Sequence, residues 1–276
     1  MGIYLNPGNE VFRQIVNADL YIDKTMLLRE TNRLLDSANK YICMSRPRRF
    51  GKTVTGNMLC SYYSRGCDSG ELFEPFRISR DPGFLKNLNR YHVIKIDMNS
   101  EYQSAQEKKD VLKILTEEVR EEMKTAFPDV VFRGSDSLAR CILRVYAAKQ
   151  ETFIILLDEY DVFVREQVSD ELFQEYLAFL NSLFKSDTLR PAISLAYLTG
   201  ILPIVRDKVQ SKLNNFREYT ILNAGVFAEY VGFTARETEE VCAERGIDFN
   251  ECRRWYNGYR QKGFEIYNPE SVARCV

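Results

Sequence analysis

Short apolar segments alternate with longer segments of helical period along most of the chain. Five runs are short, largely apolar and rich in β-branched or aromatic residues: 41–44, 93–98, 153–157, 193–198 and 219–222. Runs that are apolar on both faces are typical of parallel strands buried between two layers. Segments 111–123 and 171–184 instead repeat their apolar residues every three or four positions, which predicts amphipathic helices. This alternation predicts an α/β fold, with a parallel sheet and helices on both faces.

The alternation of strands and helices stops near Gly225, and this break predicts two units. We predict a core domain over residues 1–225 and a small, helical, lid-like subdomain over residues 226–276. In the second unit, Thr234 followed by Glu237 is the signature of a capping box at the start of a helix. A further helix is expected to begin near Pro269, and any effector domain is expected to lie beyond this chain.

Composition and charge exclude several classes of protein. Hydrophobic residues make up 45% and charged residues 28% of the sequence, as in an ordinary globular protein, and the net charge of -1 gives no overall attraction to nucleic acid or to an anionic membrane. The seven cysteines form no CxxC pair and the single histidine has no ligand-like neighbours, so neither zinc nor disulfides are expected. We expect a cytoplasmic protein with reduced thiols, no signal peptide and no membrane span.

The run from residue 41 to residue 53 carries the clearest chemical signal. An apolar strand leads into a turn, then Gly51-Lys52-Thr53 and an amphipathic helix, which is the context of a phosphate-binding loop. The backbone N–H groups of the loop would point at the phosphates of the ligand. Lys52 would reach the β- and γ-phosphates, and Thr53 would bind a magnesium ion. The nucleotide-binding residues predicted here are Arg46, Pro47, Arg48, Arg49, Phe50, Gly51, Lys52, Thr53 and Val54. Arg46 stands where GxxxxGK[ST] has its first glycine, so a solvated basic turn is the competing interpretation.

Two acids follow the apolar run 153–157, at the edge where a parallel sheet binds ligands. Asp158 is predicted to hold magnesium through its water shell, and Glu159 to polarise the attacking water. The alternative is a strand that ends in a solvated acidic turn. Thr199 ends a further strand and is predicted as a catalytic γ-phosphate sensor, with a capping or turn threonine as its alternative. Arg206 and Lys208 follow in a loop. Their side chains either contact the γ-phosphate or are simply solvated.

An ordered series of motifs runs through nearly the whole chain. It begins with Tyr21-Ile-Asp23-Lys24-Thr25 and Ser45-Arg-Pro-Arg-Arg-Phe-Gly-Lys-Thr53. It continues through Leu156-Leu-Asp-Glu-Tyr-Asp161, Thr199-Gly-Ile-Leu202, Leu213-Asn-Asn215, Gly232-Phe-Thr234, Trp255-Tyr-Asn-Gly-Tyr259 and Tyr267-Asn-Pro269. The series resembles the AAA-ATPase-like family that is abundant in gut Bacteroidetes and Firmicutes, in which arginine is usual at the position of Arg46.

The resemblance implies an additional-strand P-loop ATPase that binds ATP and Mg²⁺. It also implies that Tyr21 and Asp23 border the adenine, whereas a plain helix start capped by Asp23 is the alternative. Many members carry a PD-(D/E)XK nuclease-like domain after the ATPase, and this chain contains no such spacing. The aromatic run 255–259 is expected to pack the helical subdomain against the core, with stacking on nucleic-acid bases as the alternative.

Three functions are compatible with these residues. The first is MgATP hydrolysis by a motor or switch. The second is a nucleotide-gated regulatory module without turnover that controls a C-terminal nuclease-like domain. The third is a defence or mobile-element protein that acts on nucleic acid through that domain. ATP is the expected partner, self-association is left open, and no membrane is involved.

Overall fold

Five parallel strands form the central sheet of the computed structural model, which describes residues 2–204, 213–255, 258–261 and 264–276. The strands are β1 (Tyr41–Ser45), β2 (His92–Asp97), β3 (Phe153–Asp158), β4 (Ile193–Gly200) and β5 (Arg217–Tyr219). They pair in parallel in the order β2-β3-β4-β1-β5. Because β4 lies between the loop strand β1 and the acidic strand β3, the predicted additional-strand arrangement is confirmed.

Helices cover both faces of the sheet. In chain order they are α1 (Glu10–Val16), α2 (Leu27–Leu34), α3 (Lys52–Tyr63), α4 (Gly70–Phe73), α5 (Phe84–Asn87), α6 (Met98–Ser104), α7 (Val111–Ala126), α8 (Leu138–Lys149), α9 (Val162–Arg165), α10 (Asp170–Phe184), α11 (Ala235–Glu244), α12 (Phe249–Trp255) and α13 (Pro269–Cys275). Short 3₁₀ segments occupy Arg77–Arg80, Lys108–Asp110, Arg190–Ala192 and Gly225–Phe227. The predicted helices 111–123 and 171–184 are confirmed as α7 and α10.

The buried residues of β3 show why this strand is apolar throughout. Phe153, Ile155 and Leu157 belong to the core that also contains α7, α8 and α10. Ile154 and Leu156 belong to the core on the other side, which contains α3. Successive side chains of a strand point to opposite faces, so a strand covered on both sides has no polar face. The result is a three-layer α/β/α domain with its ligand edge at the carboxyl ends of the strands.

The fifth predicted strand is wrong in position. The strand ends at Tyr219, and only this residue of the predicted run 219–222 lies in β5. Thr220 and Asn223 exchange backbone hydrogen bonds of 3.2 and 3.3 Å, which form a turn. Leu222 is 84% exposed at that turn. The apolar pair that suggested a strand therefore belongs to a surface turn, and the other four predicted strands are confirmed with ends shifted by one or two residues.

The C-terminal region combines helices with a small sheet. Thr234 and Glu237 form the predicted capping box of α11, and Asn268 caps α13 as it begins at Pro269. The expectation that strands stop near Gly225 is wrong, because β6 (Phe233–Thr234), β7 (Tyr259–Gln261) and β8 (Phe264–Tyr267) form an antiparallel sheet. These strands have two to four residues, too few for a period-two pattern to stand out.

In the described ranges of the chain, no helix is long and apolar enough to cross a bilayer. The seven cysteines are all free thiols. No group of three His, Cys, Asp or Glu side chains in the same part of the chain is arranged to hold a metal ion.

Candidate functional site

The connection from β1 to α3 forms the floor of the candidate site. β1 is fully buried and ends at Ser45, and α3 begins at Lys52. Gly51 caps α3 with a φ of 83°, a left-handed conformation that glycine adopts without strain. A Cβ at this position would meet nothing within 4 Å, so the backbone conformation rather than crowding calls for glycine. The unpaired N–H groups at the start of α3 form the kind of terminus that binds anions.

Lys52 lies folded across this loop. Its Nζ donates to the carbonyl oxygens of Arg46 and Pro47, each at 3.0 Å. Burial lowers the pKa of Lys52, and the carboxylates of Glu159 and Asp158 oppose this effect. Lys52 is therefore a buried cation held beside two carboxylates, with loop carbonyls as its hydrogen-bond acceptors.

The side chain of Arg46 points away from the space that Lys52 faces. Its Nη1 donates to the carbonyl oxygens of Ser45 and Tyr219, both at 2.9 Å, and the residue is 2% exposed. The guanidinium thus joins the end of β1 to the end of β5. Burial lowers the pKa of Arg46 to about 10. Arg46 was predicted to bind nucleotide, and the structure brings only its backbone carbonyl to the loop interior.

Arg48 and Arg49 connect the loop to the C-terminal helix. Arg49 Nη1 lies 2.6 Å from Glu270 Oε1 on α13, and the same oxygen accepts from Arg274 at 2.6 Å. Asn268 Nδ2 donates to the carbonyl of Arg48 at 3.1 Å. Arg49 has a φ of 71°, a conformation that side chains other than glycine seldom adopt. Both arginines face the cavity described below, and α13 holds one of them through a carboxylate.

Asp158 and Thr199 meet at the carboxyl ends of β3 and β4. Asp158 Oδ1 accepts the hydroxyl of Thr199 and the N–H of Glu159, the latter at 3.0 Å. Thr199 is 2% exposed, so its hydroxyl is buried against the aspartate. The structure thus brings the two predicted residues together, with Thr199 orienting Asp158 rather than facing the open cavity.

Glu159 is held by an arginine that the sequence reasoning did not single out. Its backbone has a φ of 53°, and its carboxylate pairs with Nη2 of Arg165, the last residue of α9. Arg165 Nε lies 3.4 Å from Asp161 Oδ2. Burial raises the pKa of Glu159, and Arg165 and Lys52 oppose this effect. The signal available in the sequence was the i,i+4 spacing of Asp161 and Arg165 directly after the acidic strand.

One cavity of about 780 Å³ lies over the loop and beside the acids. Its basic lining consists of Arg48, Arg49, Lys52 and Arg165, its acidic lining of Asp97, Glu159 and Glu270, and its loop wall of Gly51, Thr53 and Val54. Pro47 and Phe50 do not line it, and Phe50 is fully buried. Asp97 was missed, although it ends β2 in register with Asp158. Acids at the ends of two adjacent parallel strands were the signal for it.

The oxygen donors of this site fit a magnesium ion. Thr53 lines the cavity, and Asp158 lies buried at its edge next to Glu159. Magnesium prefers oxygen ligands and usually keeps several waters, so it binds through one or two protein groups plus substrate phosphates. A site of this kind needs no cluster of three acids.

A second, apolar pocket of about 150 Å³ adjoins the loop. Its lining includes Leu20, Tyr21, Ile22, Phe50, Val54, Met58, Tyr230 and Phe233. Asp23 does not line this pocket. Its Oδ1 accepts hydrogen bonds from the N–H and the hydroxyl of Thr25, and its Oδ2 accepts one from the N–H of Arg77 at 2.8 Å. Tyr21 therefore lines an apolar pocket beside the loop, Asp23 fixes the turn before α2, and contact of either residue with adenine stays a prediction.

Lys24 belongs to the N-terminal motif, but no role of its own was predicted for it. Its Nζ lies 2.5 Å from Glu237 Oε2 and 2.6 Å from the carbonyl of Glu229. Glu237 belongs to the capping box of α11, so this half-buried pair ties the N-terminal motif to the C-terminal region. Burial lowers the pKa of Lys24, and Glu237 opposes that shift.

Several predicted contacts fall partly or wholly outside the described residues. Arg206 and Lys208 lie outside them, as do Tyr256 and Asn257 of the aromatic run. Tyr259, the last residue of that run, packs edge-on against Phe50 with ring centroids 5.4 Å apart. This contact with the loop agrees with the expected packing role.

Comparisons with known proteins give the family of this chain. The sequence profile of the AAA-ATPase-like family, described as Predicted AAA-ATPase, matches residues 7–210. An uncharacterized protein in the vnfD 5' region of Azotobacter chroococcum mcd 1 is 25% identical over 273 residues, which are 95% of this chain and 49% of that protein. The chain thus spans about half the length of this curated relative.

Two solved structures are similar over most of the chain. The Aeropyrum pernix ORC1 protein, solved in complex with DNA, matches 88% of this chain and 54% of its own, with 15% identity and a TM-score of 0.44. C. elegans PCH-2 matches 87% of this chain and 48% of its own, with 14% identity and a TM-score of 0.31.

Proposed function

The chain belongs to the AAA-ATPase-like family, and on this premise we propose that it binds MgATP and hydrolyses it as a motor or switch. One observation carries the proposal. Lys52 at the start of α3 and Glu159 at the end of β3 line the same cavity of about 780 Å³, beside a buried Asp158. This arrangement supports phosphate binding at the start of α3, with Glu159 as a base on the other side of the same cavity.

The triphosphate would bind along the loop. The N–H groups at the start of α3 would surround its oxygens, and the ammonium of Lys52 would exchange the carbonyls of Arg46 and Pro47 for phosphate oxygens. Arg48 and Arg49 line the same cavity and add positive charge near the phosphates. Arg46 supports the loop from below through its bonds to Ser45 and Tyr219.

Magnesium, when bound with ATP, neutralises charge on the β- and γ-phosphates. The hydroxyl of Thr53 and the carboxylate of Asp158 would hold it. The hydroxyl of Thr199 donates to Asp158 and so orients the carboxylate and keeps its charge directed at the site. In our proposal, Thr199 therefore acts through Asp158 and does not contact the γ-phosphate directly.

Glu159 would accept a proton from the attacking water. A base works only when deprotonated, and burial raises the pKa of Glu159 above its ordinary range. Turnover should therefore fall as the pH falls through that raised pKa. The adenine would enter the apolar pocket beside Tyr21, with Phe50 and Val54 as the wall that it shares with the loop.

Three variants test this proposal. Glu159→Gln should lower the rate of phosphate release by about 10²-fold or more while ATP still binds, because only the proton acceptor is lost. Lys52→Ala should abolish binding. Lys113→Ala, an exposed lysine of α7, is the matched control and should behave as the wild type. Phosphate release is measured with and without magnesium, and magnesium-independent release that survives Glu159→Gln would contradict the proposal.

The second candidate is a nucleotide-gated module that binds ATP without turning it over. It is favoured by the ion pair of Glu159 with Arg165, which occupies the carboxylate that hydrolysis needs. ATP at a hundredfold excess over Kd should then stabilise the fold by about 2.7 kcal/mol. A melting shift with ATP and no phosphate release would select this function over hydrolysis.

We place the protein in the cytoplasm, in keeping with seven free thiols. Self-association and control of a C-terminal nuclease-like domain are further proposals, since the chain spans 49% of its curated relative. A net charge of -1 argues against nucleic-acid binding by this region alone. A salt-dependent shift of DNA by the purified chain would contradict that view.

A further inference from the structure

Arg165 is built into the wall of the candidate active site. It ends the short helix α9, its side chain is 14% exposed, and it lines the cavity together with Lys52 and Glu159. Its guanidinium pairs with Glu159 through Nη2 and lies 3.4 Å from Asp161 through Nε. A long, flexible side chain is thus held in one place by two carboxylates of the same strand end.

The carboxylates of Asp161 and Glu159 differ in their other hydrogen bonds. Asp161 Oδ2 accepts the N–H groups of Ile201 and Leu202 at 3.0 and 2.8 Å, so it is fixed to the end of β4. Glu159 has no such backbone bonds among its described contacts, and its side chain is 22% exposed towards the cavity. Asp161 is therefore the fixed anchor of Arg165, and Glu159 is the partner that can be exchanged.

Charge in the cavity favours such an exchange. The cations of Lys52 and Arg165 line the same cavity, and both lie beside the carboxylate of Glu159. A triphosphate places several negative oxygens between these cations, where they compete with the single carboxylate of Glu159. Arginine binds phosphate oxygens with two parallel N–H donors, which makes phosphate a strong competitor.

We propose that Arg165 is a positioning residue that holds Glu159 while the γ-phosphate position is unfilled and passes to the γ-phosphate when MgATP binds. The exchange releases the carboxylate of Glu159 to face the attacking water. After the exchange, an arginine from the same chain stabilises the negative charge that develops on the transferred phosphoryl group. This inference rests on the proposed function and adds a means by which the enzyme distinguishes ATP from ADP.

The test compares binding of ADP and of a non-hydrolysable ATP analogue, each with magnesium, by calorimetry. Arg165→Gln should weaken the analogue about tenfold or more and leave ADP within about twofold, because only the γ-phosphate loses a partner. Arg165→Lys should restore part of the difference. Glu159→Gln should tighten the analogue and leave ADP unchanged, since Arg165 is then released from its carboxylate. Arg236→Gln breaks an exposed Arg–Glu pair on α11 and is the matched control.

Rescue by the conservative variant is a readout that a purely structural role would not move. Arg165→Lys keeps a cation at this position, so it should recover part of the lost affinity for the analogue, while Arg236→Gln should bind both nucleotides as the wild type does. Wild-type protein that binds neither nucleotide would overturn the proposed function itself. If the wild type binds and hydrolyses ATP, equal losses of analogue and ADP in Arg165→Gln, or an unchanged analogue affinity in Glu159→Gln, would overturn the exchange.

Discussion

Arg46 stands where phosphate-binding loops usually have a glycine, and its contacts explain how the loop tolerates it. The guanidinium is 2% exposed and donates to the carbonyls of Ser45 and Tyr219. A buried charge is tolerated when hydrogen bonds replace its lost hydration. Here the acceptors are carbonyl oxygens at the ends of β1 and β5. Arg46 therefore acts as a support for the loop, and in the proposed function the phosphates contact Lys52 and the N–H groups of α3 instead.

Arg46→Gln should destabilise the fold. Two buried carbonyls would lose their donor, at a cost of about 1–3 kcal/mol for each unsatisfied group. Urea denaturation of the variant should show a lower unfolding free energy, while Arg13→Gln on the exposed face of α1 should match the wild type. Equal stability of the two variants would show that the carbonyls find other partners.

The sequence predicted the positions of the loop and the acids more fully than the directions of their side chains. The meeting of Gly51, Lys52 and Glu159 at one cavity could be predicted because the ends of parallel strands meet at one edge of the sheet. The direction of the Arg46 side chain could not be predicted, because it depends on a hydrogen bond to Tyr219, which lies on a strand 173 residues away. The pair of Glu159 with Arg165 lies within seven residues, but its formation depends on the turn that Glu159 adopts at a φ of 53°.

At the level of elements, β2 is an edge strand that the N-terminal segment covers. Leu5 forms an antiparallel bridge with Ile94, and the N–H of Asn6 donates to Val93 at 2.7 Å. Covering an edge removes unpaired backbone groups that would otherwise pair with another chain. No run of residues 2–9 has strand period, so this cover could not be predicted from the sequence pattern.

His92 at the start of β2 makes the stability of this edge depend on pH. Its ring contacts Asn6, Glu151 and Arg65, and burial lowers its pKa, with Arg65 in the same direction and Glu151 against it. As the pH falls, His92 therefore takes up a proton in the unfolded chain before it does so in the folded chain. The free energy of unfolding is lost as the pH drops from about 6.5, the pKa of His92 in the unfolded chain, towards its lower pKa in the folded chain.

The histidine is the only one in the chain, which makes the test direct. Between pH values of about 7.5 and about 5.5, the wild type should lose more unfolding free energy in urea than His92→Gln, by at most about 1.4 kcal/mol, because this range reaches only about one pH unit below the unfolded pKa of about 6.5. If both proteins lose the same amount, other groups cause the acid sensitivity and the effect assigned to His92 is refuted.

At the level of the whole molecule, the C-terminal region closes over the loop. Ile266 and Phe50 lie so close to Gly232 that a Cβ there would approach them to 2.5 and 3.0 Å. Lys24 and Glu237 form a second link between the two ends of the chain. Val241, Tyr267 and Val272 form a small core of their own. We propose that this region is the lid-like unit beginning near residue 226, and that its contact with Arg49 responds to nucleotide.

We expect Glu270 on α13 to compete with phosphate for Arg49, because one carboxylate oxygen holds both Arg49 and Arg274 at 2.6 Å. The pair is partly exposed, so its loss should be worth at most about 1 kcal/mol, or about a fivefold gain in affinity. Glu270→Gln should bind the non-hydrolysable ATP analogue a few times more tightly by calorimetry. Glu240→Gln, whose partner is the exposed Arg236, is the control. Hydrogen exchange of residues 269–275 should rise when the wild type binds the analogue, and an unchanged or weaker affinity of Glu270→Gln would show that α13 does not compete with nucleotide.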